Sequence, residues 1–357
     1  MNKKLTSLLL LIWLLAFSSL TINSLAGGEP RLGDPPAAPE RVPVAVAIEA
    51  EPQAGKAAAF LPFVNTPPAW VNTAARAESQ RVFRSDYLGT ENVDTGWRGN
   101  LDACNAGTTS EQYRAAVLRR INYFRGMAGV PEISGLDSGY NTKAQAAALM
   151  MSVNIDLDHV PPSTWKCYTA AGSEGAGSSN LALGYSGTNA LSHGYMRDNG
   201  GNNFAVGHRR WILYPKTRKM GTGDIPASGR YPPTNALWVF DIDHFTDPRP
   251  TTRDDFVAWP PPGYVPYQVV YPRWSISYPG ADFSRATVAM TRAGQGVAVK
   301  LLPVYDGFGE NTLVWEPQAN FANPAADTRY AVTVGNVLLD GRARSFSYTV
   351  IVFDPAK

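Results

Sequence analysis

Two hydrophobic rhythms divide this chain, and the switch between them falls near residue 250. From about Trp97 to Phe245, apolar residues recur at helical spacing. Tyr113, Val117, Ile121, Phe124 and Ala128 fall three to four residues apart, which puts them on one face of a helix. Thr109-Ser110-Glu111-Gln112 precedes the run as a capping box, and Gly126, Gly129 and Pro131 end it. A second helix is predicted over 141–155, with Ala144, Ala148 and Met151 on one face. A third is capped by Asn189 and runs to about Arg197, and a short fourth carries His208 to Leu213 and stops before Pro215. Residues 218–222 and 236–240 read as strands, so this region is mixed helix and strand.

From about Trp259 to Lys357 the period drops to two. Alternating runs over 286–291, 297–302, 312–315, 330–334 and 345–353 are separated by Gly, Pro and Asp, as at Asp306-Gly307 and Asp340-Gly341. Short strands at that spacing predict an all-β sandwich of immunoglobulin-like size. Trp259, Trp274 and Trp315 are expected to pack between its sheets rather than stack on sugar rings, and Trp211 and Trp238 to lie in the core of the preceding region.

The N-terminus reads as a secretory signal peptide over 1–26. Lys3-Lys4 precede an uncharged apolar run from Leu8 to Phe17, and Ser24-Leu25-Ala26 is a small-x-small cleavage site. The run is short for a spanning helix, and no later segment is apolar enough to cross a bilayer. The expected compartment is therefore secreted or extracellular, with no membrane span after cleavage. Residues 27–95, rich in Ala and Pro, read as a linker whose later part packs on the next domain. The remaining divisions are a domain over 96–247, a Pro-rich connector over 248–262, and the sandwich over 263–357.

Charge and cysteine content narrow the function. The chain has 32 basic and 30 acidic residues, a balance that argues against a nucleic-acid partner. Its two cysteines, Cys104 and Cys167, suit an oxidising compartment and are most simply one disulfide. The alternative use, as two metal ligands, lacks a second Cys or a nearby His at either position.

All four histidines lie between His159 and His244. Around them the sequence resembles the CAP superfamily, that is, the cysteine-rich secretory, antigen 5 and pathogenesis-related type 1 proteins, and its bacterial branch in particular. Ile121-Asn122-Tyr123-Phe124-Arg125 with Gly129-Val130-Pro131 is similar to the family's opening helix. Residues 144–158 resemble the helix that leads to the family's first site histidine, here His159. Ser179-Asn180-Leu181-Ala182-Leu183-Gly184 stands where the family has its Gly-Glu-Asn segment. Gly207-His208 is followed by Gly221 thirteen residues after the histidine, as in the family. The resemblance implies an α+β fold, a CAP-type α-β-α sandwich followed by the all-β sandwich. It also implies a cleft holding His159, His208 and Asp198, with Tyr195 as the aromatic three residues before the acid. The family's second acid falls on Ser179, and Glu174, in a glycine-rich loop, is the candidate replacement. The Gly309-Glu310-Asn311 triplet lies in the sandwich and is a decoy.

Two imidazoles and a carboxylate invite two readings. They form either an open site for zinc or another divalent metal, or an internally hydrogen-bonded cluster that holds helices together. No nucleophile motif is present: Ser192 and His193 are neighbours on a helix and point apart, and no elbow sequence surrounds Ser179. His193 and His244 match no site position. The expectation is a non-catalytic secreted binding protein whose cleft takes a small molecule, lipid, peptide or envelope ligand. The alternative is a metal-dependent hydrolase of peptide or envelope polymer.

Overall fold

In a computed structural model the described residues are 31–34, 36 and 70–357. The expected signal peptide, and the linker apart from these residues, lie outside them. Two layered bodies form: an α-β-α sandwich followed by an all-β sandwich, the α+β class expected.

The first body is built on a five-stranded sheet in the order β1 (Arg31–Leu32), β3 (Ser179–Leu183), β5 (Thr234–Trp238), β4 (Lys219–Ile225), β2 (Gly135–Leu136). All pairings are antiparallel except that of β2 with β4. Strand residues alternate between its two faces. Leu181 joins Ala144, Ala148 and Trp238 against α3 (Ser138–Asn154) and α4 (Ala170–Gly177). Ala182 joins Val117, Ile121, Leu191 and Trp211 on the other face. There lie α2 (Glu111–Ala128), α5 (Gly187–Asn189), which runs on as a π-helical turn at Ala190–Met196, and α6 (Gly207–Ile212).

Local chemistry sets the helix ends, with small corrections to expectation. Ser110, not Thr109, caps α2: its Oγ accepts the Tyr113 N–H at 3.2 Å. Gly129 closes the helix at φ 73°, where a side chain would be strained. Helix α3 starts three residues before its expected position because Asp137 Oδ1 accepts the N–H groups of Gly139 and Tyr140. Helix α5 starts at Gly187 rather than after Asn189, since buried Asp224 Oδ1 meets the Gly187 N–H at 2.6 Å from across the fold. Helix α3 can lie this close to the sheet only because β4 carries glycine. A Cβ at Gly223 would sit 2.1 Å from the Ala144 carbonyl carbon.

The second body packs a sheet of β10 (Gln295–Val297), β9 (Thr287–Arg292), β13 (Thr328–Leu339), β14 (Arg342–Phe353) and β7 (Gly263–Pro266) on a second one. That sheet is β11 (Val299–Leu301), β12 (Thr312–Pro317), β8 (Trp274–Ser277) and β6 (Val257–Trp259). Strand β6 lies inside the expected connector, so the sandwich begins earlier than composition placed it; Pro260-Pro261-Pro262 follows a strand rather than a linker. Trp259, Trp274 and Trp315 are fully buried, as expected, and Trp211 and Trp238 are in the core.

One apolar core runs through both bodies, with the Phe124 and Trp259 rings 5.3 Å apart across the boundary. The end of the expected linker joins in. Helix α1 (Arg76–Val82) and the turns after it put Phe83 and Tyr87 against Tyr123 and Phe124. Arg76 and Arg84 donate to carbonyls of the C-terminal Asp354 and Pro355. Cys104 and Cys167 form a disulfide with Cα atoms 5.1 Å apart. Among the described residues no helix is long and apolar enough to cross a membrane.

Candidate functional site

The residues that carry the family resemblance divide into those that hold the fold and those that line the site. Asn122 exchanges two hydrogen bonds with the backbone of Ile133. Arg125 is fully buried and donates to the carbonyls of Pro131, Ile212, Tyr214 and Thr217. Burial pushes its guanidinium down to about 9, with no carboxylate in hydrogen-bond contact to offset it. These two residues bind α2 to the segment after α6 and carry no chemistry of their own.

His208, on α6, is fully buried. Its Nδ1 meets Asp198 Oδ1 at 2.8 Å; the carboxylate only accepts, so Nδ1 bears the proton. Asp198 Oδ2 accepts the backbone N–H groups of His208 and Arg209. The Tyr195 ring stacks on the imidazole with centroids 5.5 Å apart, and Tyr195 Oη contacts Asn180 and Asn235. Asn180 Nδ2 donates to the His208 carbonyl. Three buried atoms here have no partner: His208 Nε2, Ser179 Oγ and Asn180 Oδ1.

The sandwich buttresses this half of the site. Arg273 donates to the carbonyls of Asp198, Asn203 and Gly200 at 2.8–2.9 Å. In return Arg209 donates to the Arg273 carbonyl, and Arg210 to those of Tyr305 and Glu310. The decoy Glu310 is a buried partner of Arg249 at 2.5 Å. Burial raises its carboxyl despite that pairing.

His159 is only half buried and sits on the loop after α3. Its Nδ1 faces the Ala176 carbonyl at 2.7 Å, and its Nε2 faces the carbonyl of Asp34. Both partners are acceptors, so the two bonds coexist only when both ring nitrogens carry protons. The Asp34 contact belongs to a strap of residues 31–34 and 36 that was not foreseen as part of the site. Its Arg31 and Leu32 pair with Leu183 and Ala182 on the outer edge of β3, and the Gly33 N–H donates to the Leu181 carbonyl. Trp211 Nε1 donates to the Pro36 carbonyl at 2.7 Å, Asn202 Nδ2 to Asp34 Oδ1 at 2.8 Å, and Arg31 to the Ile155 carbonyl. The strap thus links the His159 loop to the helix that carries His208.

Three of the eleven left-handed non-glycine residues among the described ones lie in the segments that carry these side chains. Ile155, Asp198 and Val206 adopt left-handed φ values of 54°, 49° and 47°. Two of them are β-branched, and such residues persist there only when their surroundings impose the conformation. The π-turn carrying Tyr195 is a further irregularity of a kind that recurs at functional sites.

Ser179, at the missing acidic position, is buried on β3 without a side-chain partner. Glu174 lies on α4 rather than in the expected loop, where it is exposed and its carboxylate pairs with Lys143 at 2.5 Å. His193 reaches solvent, and the partial desolvation of its ring by its neighbours, followed by the charges of Arg197 and Arg120, lowers its basicity. His244 lies beside Asp241. Among the described residues no group of three or more His, Cys, Asp or Glu is gathered that could hold a metal ion. A catalytic zinc takes three protein ligands. Of the ring nitrogens and carboxylate oxygens of His159, Asp198 and His208, only His208 Nε2 lacks a partner. In this arrangement the trio does not fit a zinc centre.

A mostly antiparallel sheet between two helical layers, with a histidine–carboxylate pair buried beside it, defines the middle region as an α-β-α sandwich domain. Residues 118–241 match the family model described as CAP, the cysteine-rich secretory protein family, which supports reading this region as a CAP domain. No curated protein matches the chain. Solved structures similar to part of it include PcoC, a methionine-rich copper resistance protein from Escherichia coli, at 18% identity and a TM-score of 0.22, covering 27% of this chain and 93% of that one. The selenomethionine form of PcoC has 17% identity and the same TM-score, covering 29% and 100%. At those values the likeness bears on neither fold nor function.

Proposed function

We propose that this is an exported, non-catalytic binding protein whose CAP-like cleft grips an extended ligand. The observation that carries the reading is how the cleft spends its polar groups. His159 Nε2, Trp211 Nε1 and the Leu181 carbonyl all bond main-chain atoms of one extended segment. A disulfide, the signal-peptide pattern and the near-neutral charge balance support export and argue against a nucleic-acid partner. The test is binding of a panel of extended peptides, lipid vesicles and peptidoglycan fragments to the purified protein, with and without chelator. Saturable binding that His159→Ala weakens, with the ligand recovered intact, is the expected result. Chelator-sensitive cleavage of any of them would overturn it.

One observation favours a metal-dependent hydrolase as the second reading. A histidine whose Nδ1 is held by a carboxylate and whose Nε2 is unpartnered is oriented as metal-ligating histidines are. It requires His159 and Asp198 to leave their present partners. Zinc calorimetry on wild type and His208→Ala decides it: heat in the first and none in the second supports a metal, and no heat in either removes this reading.

A further inference from the structure

Resting on the binding reading above, we infer that the outer edge of β3 is a docking groove for peptides in extended conformation, and that the strap of residues 31–34 and 36 is its built-in competitor. A sheet edge offers unpaired N–H and C=O groups, and adding a strand is a general mode of peptide capture. Here the edge is framed by side chains suited to a peptide main chain. His159 reaches the carbonyl of one residue, and Trp211 that of the residue two further on. Neither contact depends on the side chains of the bound segment. Selectivity comes from two others. Leu32 packs over the π-turn at Gly194, where a Cβ would come within 3.1 Å of its Cδ2, and Asn202 donates to the Asp34 carboxylate. The groove therefore suits an extended peptide with an aliphatic residue, a spacer and then an acidic residue.

The strap is an incomplete occupant. The pairings Arg31–Leu183 and Leu32–Ala182, with Gly33 N–H to the Leu181 carbonyl, fix the register. In that register the next ladder donor of an extended occupant comes two residues beyond the one at Gly33. The sequence there is Pro35-Pro36, and proline has no N–H. Any occupant without proline at that position gains a ladder bond the strap cannot make. It also brings a side chain beside a stretch where Ser179 Oγ and Asn180 Oδ1 lack partners. The strap covers the edge, and a better-matched peptide displaces it.

The probe is a fluorescein-labelled peptide with the sequence of residues 30–37 carrying Pro35→Thr, titrated by anisotropy into the full chain. Wild type should bind weakly, because the strap occupies the groove in nearly every molecule. The Gly33→Pro chain, whose strap loses its donor to Leu181, should bind roughly tenfold or more tightly, since apparent affinity scales with the open fraction. Adding His159→Ala to that chain should remove most of the gain, and the peptide with Pro35 restored should bind several-fold more weakly. Leu32→Asp is a second way to open the strap and should reproduce Gly33→Pro. Equal affinity in wild type and both strap variants overturns the inference. So does self-association of the opened chains without peptide binding, which makes the strap an edge cover only. If vesicles or peptidoglycan fragments bind in a His159-dependent way while the peptide does not, the inference fails and the binding function stands. If nothing binds any of the chains, both fail.

Discussion

His159 and His208 are held in opposite ways. His208 is fully buried, fixed by a carboxylate that also takes two backbone N–H groups, and backed by an arginine from the other body of the molecule. His159 is half exposed, on a loop, and bonded to two carbonyls, one of them on the strap. A buried polar pair is costly to break, since a lone buried charge or donor has no water to turn to. A half-exposed imidazole exchanges its partners for water or ligand at small cost. The first arrangement suits a fixed wall and the second a contact that changes hands, which is why the proposed ligand is assigned to the His159 side.

The largest test of this contrast is Asp198→Ala. It strands His208 Nδ1–H and two backbone donors in the core, so stability should fall by about 3–5 kcal/mol in urea titration. A loss under about 1 kcal/mol would remove the fixed-wall reading. Next is Cys167→Ser. The bond joins positions 63 apart and anchors the loop that follows His159. Its loss should cost roughly 2–5 kcal/mol and speed hydrogen exchange in that loop more than around His208; uniform acceleration would mean the two halves are not independently held. Arg273→Met should cost roughly 1–3 kcal/mol, for three carbonyls lose a donor, and its effect should be sub-additive with that of Asp198→Ala. Full additivity would show that the sandwich does not support the site. His159→Ala should change stability by less than about 1 kcal/mol while the Gly33 amide loses protection.

A last, smaller effect concerns pH. Burial raises the Asp224 carboxyl above its ordinary value, although Thr222, Gly187, Asn235 and Tyr113 all donate to it. Its folded-state value then lies above its unfolded one. Its contribution to stability is full below the unfolded value and is lost as pH rises through the window up to the folded one. Asp224→Asn should flatten that part of the stability–pH curve, and an unchanged slope would contradict the assignment.

Much of the framework was legible in local pattern. The helical period around Val117 and Ile121, the alternation beyond residue 286, the cysteine pair and the spacing of His208 to Gly221 all depend on residues close in sequence or on chain-wide composition. Some ends moved where the deciding partner was remote, as when Asp224 set the start of α5. The site was legible only in part. Asp198 and His208 lie ten residues apart and form their pair, whereas Glu174 sits near the expected acidic position and is paired on the surface with Lys143.

The sequence by itself determined the helices and strands that carry a clear internal period, the order of the two bodies and the pairing of the two cysteines. Periodicity, capping chemistry and cysteine content act locally or on the chain as a whole. Only the tertiary structure decided that Arg209, Arg210 and Arg273 lock the sandwich to the site, that Asn122 and Arg125 are braces, and that a few residues inside a proline-rich stretch cover the edge of β3. Apart from the short links of Asn122 to Ile133 and Arg125 to Pro131, those contacts join positions from 64 to 175 residues apart, and most are made to main-chain carbonyls, which every residue carries. A carbonyl acceptor leaves no mark in the sequence, so its partner appears only when the chain has folded around it.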